Sequence, residues 1–237
     1  MNYSFHPLGD HAVIIEFGKE IRADIQKIIQ IVANKLDDRP FDWMIEYVPA
    51  FTTITIFYDI QIVSRFVNDQ FLSPYDYVCH QLETILTAIT IDVPIESRIV
   101  EIPVCYGGEF GPDLSYVASY NGLTEEEVIS IHAKNIYLVY MIGFAPGFPY
   151  IGGLSKRIAT PRKETPRLKI PAGSVGIAGE QTGIYPIETP GGWQLIGRTP
   201  LQLFTPDNDP PCLLRAGDRL KFKPISFEEY LELEQGK

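Results

Sequence analysis

Cysteine and histidine are both scarce in this chain of 237 residues: three of the first (Cys79, Cys105, Cys212) and four of the second (His6, His11, His80, His132). An odd, widely spaced cysteine set with no C-x-x-C pair excludes a disulfide framework and a dithiol redox motif. Buried, reduced thiols are expected instead, which points to the cytoplasm. No H-E-x-x-H or similar cluster is present, so no metal is expected. Cations are also in deficit, 20 Lys and Arg against 30 Asp and Glu, a net charge of −10. Nonspecific nucleic-acid binding needs clustered cations and is therefore not expected. No apolar run approaches the roughly 20 residues that span a bilayer, and MNYSFHPLGDH lacks the basic-then-apolar pattern of a secretory signal. Neither a membrane nor secretion is expected. Three chemical signatures are missing as well. There is no G-x-x-x-x-G-K-[ST] phosphate loop, GSVGIAG does not satisfy G-x-G-x-x-G, and Ser174 in AGSVG is not a G-x-S-x-G nucleophile.

What is present is globular, with 45% hydrophobic and 12% aromatic residues. Glycine and proline divide the chain in two. Residues 1–95 hold two glycines and five prolines, residues 96–237 seventeen and fourteen. Two domains with those bounds are expected. In the first, His11–Phe17, Trp43–Val48 and Phe51–Tyr58 read as strands. Ile21, Ile25, Ile28, Val32 and Leu36 mark one amphipathic helix, and Ser73-Pro74 opens another that carries Val78, Leu82, Ile85, Leu86 and Ile89. With Arg98–Val104 as a further strand, the order is βαββαβ, that of a ferredoxin-like α/β domain.

The second domain opens on a turn-rich stretch and a capping box, Thr124 and Glu127, which starts a helix. Apolar strands follow at Tyr137–Ile142, Ser174–Ala178, Ile184–Glu188, Trp193–Gly197, Leu201–Phe204 and Asp218–Pro224, and Ser226 with Glu229 caps a last helix. Many short strands with tight corners suggest a closed or sandwiched β structure.

The charge is uneven. Lys156, Arg157, Arg162, Lys163, Arg167 and Lys169 face the single acid Glu164, a segment of +5 interrupted by Pro161, Pro166 and Pro171. A stiff, exposed loop is expected, with Arg162 or Arg167 able to grip a small anion in bidentate fashion. GFAPGFPYIGG (143–153) adds an apolar wall of Phe144, Phe148 and Tyr150. Phe144 is expected to plug the barrel end, whereas Tyr150 suits either a plug or a pocket. In PAGSVGIAGEQTGIYPIETPGGWQLIGRT (171–199), seven glycines alternate with candidate contact residues Ser174, Gln181, Tyr185, Trp193 and Arg198. Arg198 has an alternative role, pairing with Glu180 or Glu188.

Three stretches, IPVCYGGEFGPDL (102–114), GFAPGFPYIGGL (143–154) and TPRLKIPAGSVGIAGEQTGIYPIETPGGWQLIGRTP (165–200), resemble the 5-oxoprolinase B-subunit family. That family is also labelled allophanate hydrolase subunit 1 and includes the sporulation-kinase inhibitor KipI. The resemblance implies an α+β fold, an N-terminal α/β domain followed by a C-terminal cyclophilin-like β-barrel. It implies partnership with the 5-oxoprolinase C subunit, of related fold, and with the A subunit, the complex converting 5-oxoproline to glutamate with ATP. One subunit would then supply part of a site, in keeping with the missing nucleotide and nucleophile motifs. Two alternatives come with the family: inhibition of a sensor histidine kinase by protein binding, and a subunit of a urea or allophanate enzyme. The resemblance identifies no catalytic residue. The site candidates remain Tyr150, Arg162, Arg167, Ser174, Gln181, Tyr185, Trp193 and Arg198.

Overall fold

Alternation decides the first sheet. In β4 (Thr53–Tyr58), Ile54, Ile56 and Tyr58 are buried while Thr53, Thr55 and Phe57 are only partly covered, the period of a half-buried strand. Its neighbour β2 (Ala12–Glu16) contributes Val13 and Ile15 to the same core. The flanking strands are β1 (Ser4–Pro7) and β3 (Met44–Pro49), giving the antiparallel order β1-β2-β4-β3.

Helix α1 (Ala23–Asp38) buries Ile25, Ile29, Val32 and Leu36, and α3 (Pro74–Ala88) buries Val78, Leu82 and Leu86. These stripes at helical spacing pack on β3, on β2 and on each other. The α3 start is the expected one: Ser73 Oγ accepts the Asp76 N–H, and Pro74 occupies the first turn. Between β4 and α3 lies the single turn α2 (Ile60–Val63), capped by Asp59.

This computed structural model describes residues 2–68, 73–89 and 98–236. The chain divides into two compact units, Met1–Glu96 and Ser97–Lys237. The boundary expected between residues 95 and 96 lies outside the described residues. Among the described residues, and leaving aside the single turn α2, the element order of the first unit is ββαββα rather than βαββαβ. Its fourth strand is the N-terminal hairpin partner β1, and the strand expected from Arg98–Val104 belongs to the other unit.

That strand, β5 (Ile99–Tyr106), opens a closed seven-stranded barrel. The other staves are β6 (Ile136–Ile142), β7 (Pro149–Gly152), β9 (Ser174–Ala178), β10 (Gln181–Ile184), β12 (Gln194–Arg198) and β13 (Arg219–Pro224). Around the ring the order is β10-β7-β6-β13-β5-β12-β9. All neighbours are antiparallel except β5 and β13, which pair in parallel over six residues. Two further strands, β8 (Arg167–Ile170) and β11 (Thr189–Gly191), form a separate two-stranded sheet. The fold class is thus α+β with a C-terminal barrel, and closure leaves that sheet without free edges.

Local expectations fail where sequence is silent about partners. Ile184–Glu188 is not one strand: β10 ends at Ile184, and β11 starts only at Thr189. Leu201–Phe204 makes only the isolated bridge Phe204 to Cys212. The basic segment is not wholly a loop, because Arg167–Ile170 pairs with β11. Of the three thiols only Cys105 is buried; Cys79 and Cys212 are half-buried.

Helices α4 (Leu114–Asn121) and α5 (Glu125–Lys134) lie between β5 and β6, with the capping box at Thr124 and Glu127 in place. Helix α6 (Phe227–Gln235) carries the second capping box, at Ser226 and Glu229. From α5 the fully buried His132 reaches Tyr106 on β5 and Thr182 on β10, strands on opposite sides of the ring. Thr182 donates its hydroxyl proton to Gly176 O (3.0 Å) and so accepts from His132 Nε2 (2.9 Å). The imidazole is therefore the Nε2–H tautomer, and Nδ1 accepts the Tyr106 hydroxyl at 2.7 Å. Burial lowers the His132 pKa to about 3, so the ring is neutral. Among the described residues, no helix is long and apolar enough to cross a membrane.

Candidate functional site

The loop between β6 and β7 folds back on itself, with the Gly143 N–H donating to Phe148 O and the Phe148 N–H to Ala145 O. It delivers Phe144, Phe148 and Tyr150 to a cavity of about 230 Å³. Gln181 on β10, Tyr185 beyond it, the Pro190–Trp193 turn and Arg162 complete the lining.

Phe148 is the hub of the wall. Tyr150, Tyr185 and Trp193 meet its ring edge to face at 5.4, 5.8 and 6.0 Å between centroids, and Tyr185 meets Trp193 at 6.1 Å. Edge-to-face contacts put positive ring edges on negative faces and fix each ring's tilt. Two glycines make room for these rings. A Cβ on Gly183 would stand 2.9 Å from the Trp193 indole, and one on Gly191 would stand 2.4 Å from the Tyr185 hydroxyl. The glycine density of this stretch thus reflects, at these positions, the close approach of large rings to backbone. Burial raises the Tyr185 pKa, against the opposing pull of Arg162, the Trp193 backbone and Arg167, so its hydroxyl stays protonated at neutral pH.

The basic segment is mostly neutralised. Lys156 pairs with Glu180 (3.4 Å) and Lys169 with Glu188 (3.1 Å). Lys163 (3.2 Å) and Arg167 (2.8 Å) both bind Oδ1 of the buried Asp113, whose Oδ2 accepts the Leu195 N–H at 2.7 Å. Burial pushes the Asp113 carboxyl up, but the hydrogen bonds from Arg167 and Leu195, the Arg167 charge and the Lys163 bond outweigh it. The pKa lies below the ordinary value. Among the described residues, only Arg157 and Arg162 of the six cations lack an ion-pair partner, and Arg162 is the one that lines the cavity. It also borders a second, more open and polar cavity of about 480 Å³, with Asp113, Tyr116, Lys163, Glu164, Thr165 and Gln194.

Five of the eight candidates, Tyr150, Arg162, Gln181, Tyr185 and Trp193, come together around the smaller cavity. Three do not line it. Arg167 is engaged with Asp113 and, at 3.5 Å, with Trp193 O. Ser174 is buried within β9, where Tyr185 N–H donates to its carbonyl. Arg198 donates from Nε to Ala172 O at 3.2 Å, and its guanidinium lies 5.5 Å from the Phe110 ring centroid. The expected pairing of Arg198 with Glu180 or Glu188 is incorrect, because those carboxylates are held by Lys156 and Lys169. Phe144 is no plug either: it is 73% exposed at the cavity. Sequence reasoning missed Pro190, Gly191 and Gly192 as lining and Asp113 as the hub. The T-P-G-G-W turn was the available signal for the first three.

The barrel and the strands before it define a carboxyltransferase-domain protein: the family "Carboxyltransferase domain, subdomain C and D" matches residues 3–214. More narrowly, the chain belongs to the 5-oxoprolinase B-subunit family. It is 55% identical to the 5-oxoprolinase B subunit of Bacillus subtilis over 230 residues, 97% of this chain and 96% of that one. It is 42% identical to the Escherichia coli O157:H7 protein of the same name over 217 residues, covering 92% and 94%. Among solved structures, the crystal structure of TTHA0988 superposes with a TM-score of 0.75 at 34% identity, covering 91% of this chain. The chain spans 40% of that longer protein.

Proposed function

We propose that this chain is the B subunit of an ATP-dependent 5-oxoprolinase and that its smaller cavity binds 5-oxoproline. Relatives that match nearly its whole length carry the B-subunit name, and a protein so named works with partners, here the A and C subunits. The carrying observation is Arg162, a guanidinium without an ion-pair partner among the described residues, beside a wall of four rings. 5-Oxoproline has a small, nearly flat lactam ring for such a wall and one carboxylate for such a cation. Gln181 offers an amide to the lactam and Tyr185 a protonated hydroxyl, while the rings keep out bulk water. Ring opening adds water across the amide: the C–N bond breaks, and the nitrogen leaves as the ammonium of glutamate. This chain's part is to bind and orient the lactam.

ATP does not suit this lining. A cavity of about 230 Å³ with a single guanidinium lacks the several donors that a triphosphate requires, and the chain has no phosphate-loop motif. We therefore assign ATP to the companion subunits, with no step routed through it here.

The test is reconstitution with the A and C subunits, following ATP-dependent glutamate release from 5-oxoproline. Arg162→Ala should raise KM roughly tenfold or more, since a charge-assisted contact is lost. No glutamate from the wild-type complex, or an unchanged KM in the variant, would reject the assignment.

A further inference from the structure

Phe144 is the only residue other than glycine with a positive φ among the described residues, at 71°. Phenylalanine is disfavoured there because its Cβ crowds the backbone. Glycines stand at positions 143 and 147 of the same loop, the second already at φ 76°, so the turn had another residue type at hand. The ring is also left uncovered. Phe148, four residues on, is 5% exposed, whereas Phe144 is 73% exposed. The two rings meet edge to face at 5.5 Å and 72°. Phe144 leans on the hub of the aromatic wall, lines the cavity, and gains little from either its backbone or its packing. Strain held at a cavity mouth is expected where a side chain must be presented to a ligand.

The charge of the lining narrows the ligand. It contains Arg162 and neither Asp nor Glu. A carboxylate on a neutral ring is matched there, whereas an amino acid brings an ammonium that meets a cation and no acid.

We infer that this cavity selects ring-closed acids over open-chain amino acids, with Phe144 as the ligand-contacting residue that packs on the ring while Arg162 takes the carboxylate. The strained turn holds the phenyl group in place before the ligand arrives, which spares the ordering otherwise needed on binding. The proposed 5-oxoprolinase role enters only in naming the natural acid as 5-oxoproline. In that role, opening the lactam creates the ammonium that the lining disfavours, so the site would release its own product.

Calorimetric titration of the full chain, alone and with the A and C subunits, tests this with 5-oxoproline, pyrrole-2-carboxylate and L-glutamate. Both ring acids should bind, with glutamate roughly tenfold weaker or worse. Phe144→Ala and Phe144→Gly should each lose about tenfold or more for the ring acids. Phe144→Gly should also melt a few degrees above Phe144→Ala, because glycine accepts the positive φ. A residue serving only the fold would show no binding loss in a variant whose stability is kept or raised. Ring-acid binding by Phe144→Gly within about twofold of wild type overturns the inference. So does wild type that binds neither ring acid, or that binds glutamate equally well. A complex that fails to turn over 5-oxoproline, yet binds ring acids through Phe144, would instead overturn the 5-oxoprolinase role and leave the selectivity standing.

Discussion

The two units divide their interiors between different chemistries. Of the nine buried polar or charged residues among those described, eight lie in the barrel unit, and Gln26 alone lies in the first. The first unit is held by apolar stripes meeting an apolar sheet face. The barrel has its own apolar cluster, but the Asp113 hub and the Tyr106–His132–Thr182 chain are built in with it. A sheet and two helices need only be covered to be stable. A barrel that also shapes a cavity must hold specific strands and loops in register, and directional bonds do that where apolar contact cannot.

The contrast between the two interiors depends most on the barrel's charged centre. Asp113→Ala would leave Arg167, Lys163 and the Leu195 N–H without their shared acceptor, a loss of about 3 kcal/mol. Thermal denaturation should then show a melting temperature lower by roughly 6–12 °C. Ile54→Ala in the first unit should cost a similar amount, about 3 kcal/mol, through a plain cavity. Only the first of these should also raise KM for 5-oxoproline in the reconstituted assay, because Asp113 anchors Lys163, the chain neighbour of Arg162, and borders the larger cavity with both. Equal effects on KM would erase the functional contrast between the units.

A smaller effect concerns pH. His132 is neutral when folded, with its pKa lowered to about 3, whereas the unfolded ring protonates near 6.5. The unfolded state therefore binds more protons as pH falls below about 6.5, and stability declines through that window toward about 3. At pH 5 the loss from this one group is about 2 kcal/mol. Denaturant titrations at pH 7.5 and 5 should show it in wild type and not in His132→Gln. Smaller still, Gly183→Ala should cost about 1 kcal/mol and shift Trp193 fluorescence, because its Cβ meets the indole at 2.9 Å. Least of all, Ser174→Ala and Arg198→Ala should change KM by less than about twofold, as neither residue lines the cavity.

Much of the local structure is legible in sequence, because local rules suffice for it. The stripes of α1 and α3, the alternation of β4 and both capping boxes all follow from neighbours within a few positions. What is not legible depends on distant partners. Nothing in IVEIPVCY says that its partners are β12 and β13 rather than the first sheet. Asp113 lies 50 and 54 positions from the cations it binds, so in sequence those cations look free. The same blindness produces the incorrect pairing of Arg198, whose expected carboxylates are close only along the chain. Four of the five candidates that do converge, Tyr150, Gln181, Tyr185 and Trp193, sit on motifs where glycine and aromatic residues crowd together, and there the local pattern carries the close approach of ring and backbone. Arg162 is marked instead by the uneven charge of its segment.

The parallel pairing of β5 with β13 has a consequence for biosynthesis. Arg219 pairs with Ile99, 120 positions earlier, so the ring cannot close until β13 has left the ribosome. At elongation rates of roughly 5–20 residues per second, β5 waits on the order of ten seconds, with both edges open until β12 is made and one still open until β13 follows. During that interval the nascent chain exposes a template to which another strand can add. Among the described residues, the first unit has its strands by residue 58 and its last helix by residue 88, and can assemble early. The barrel is the late and vulnerable step, and translation speed between β5 and β13 becomes a determinant of how much protein is recovered.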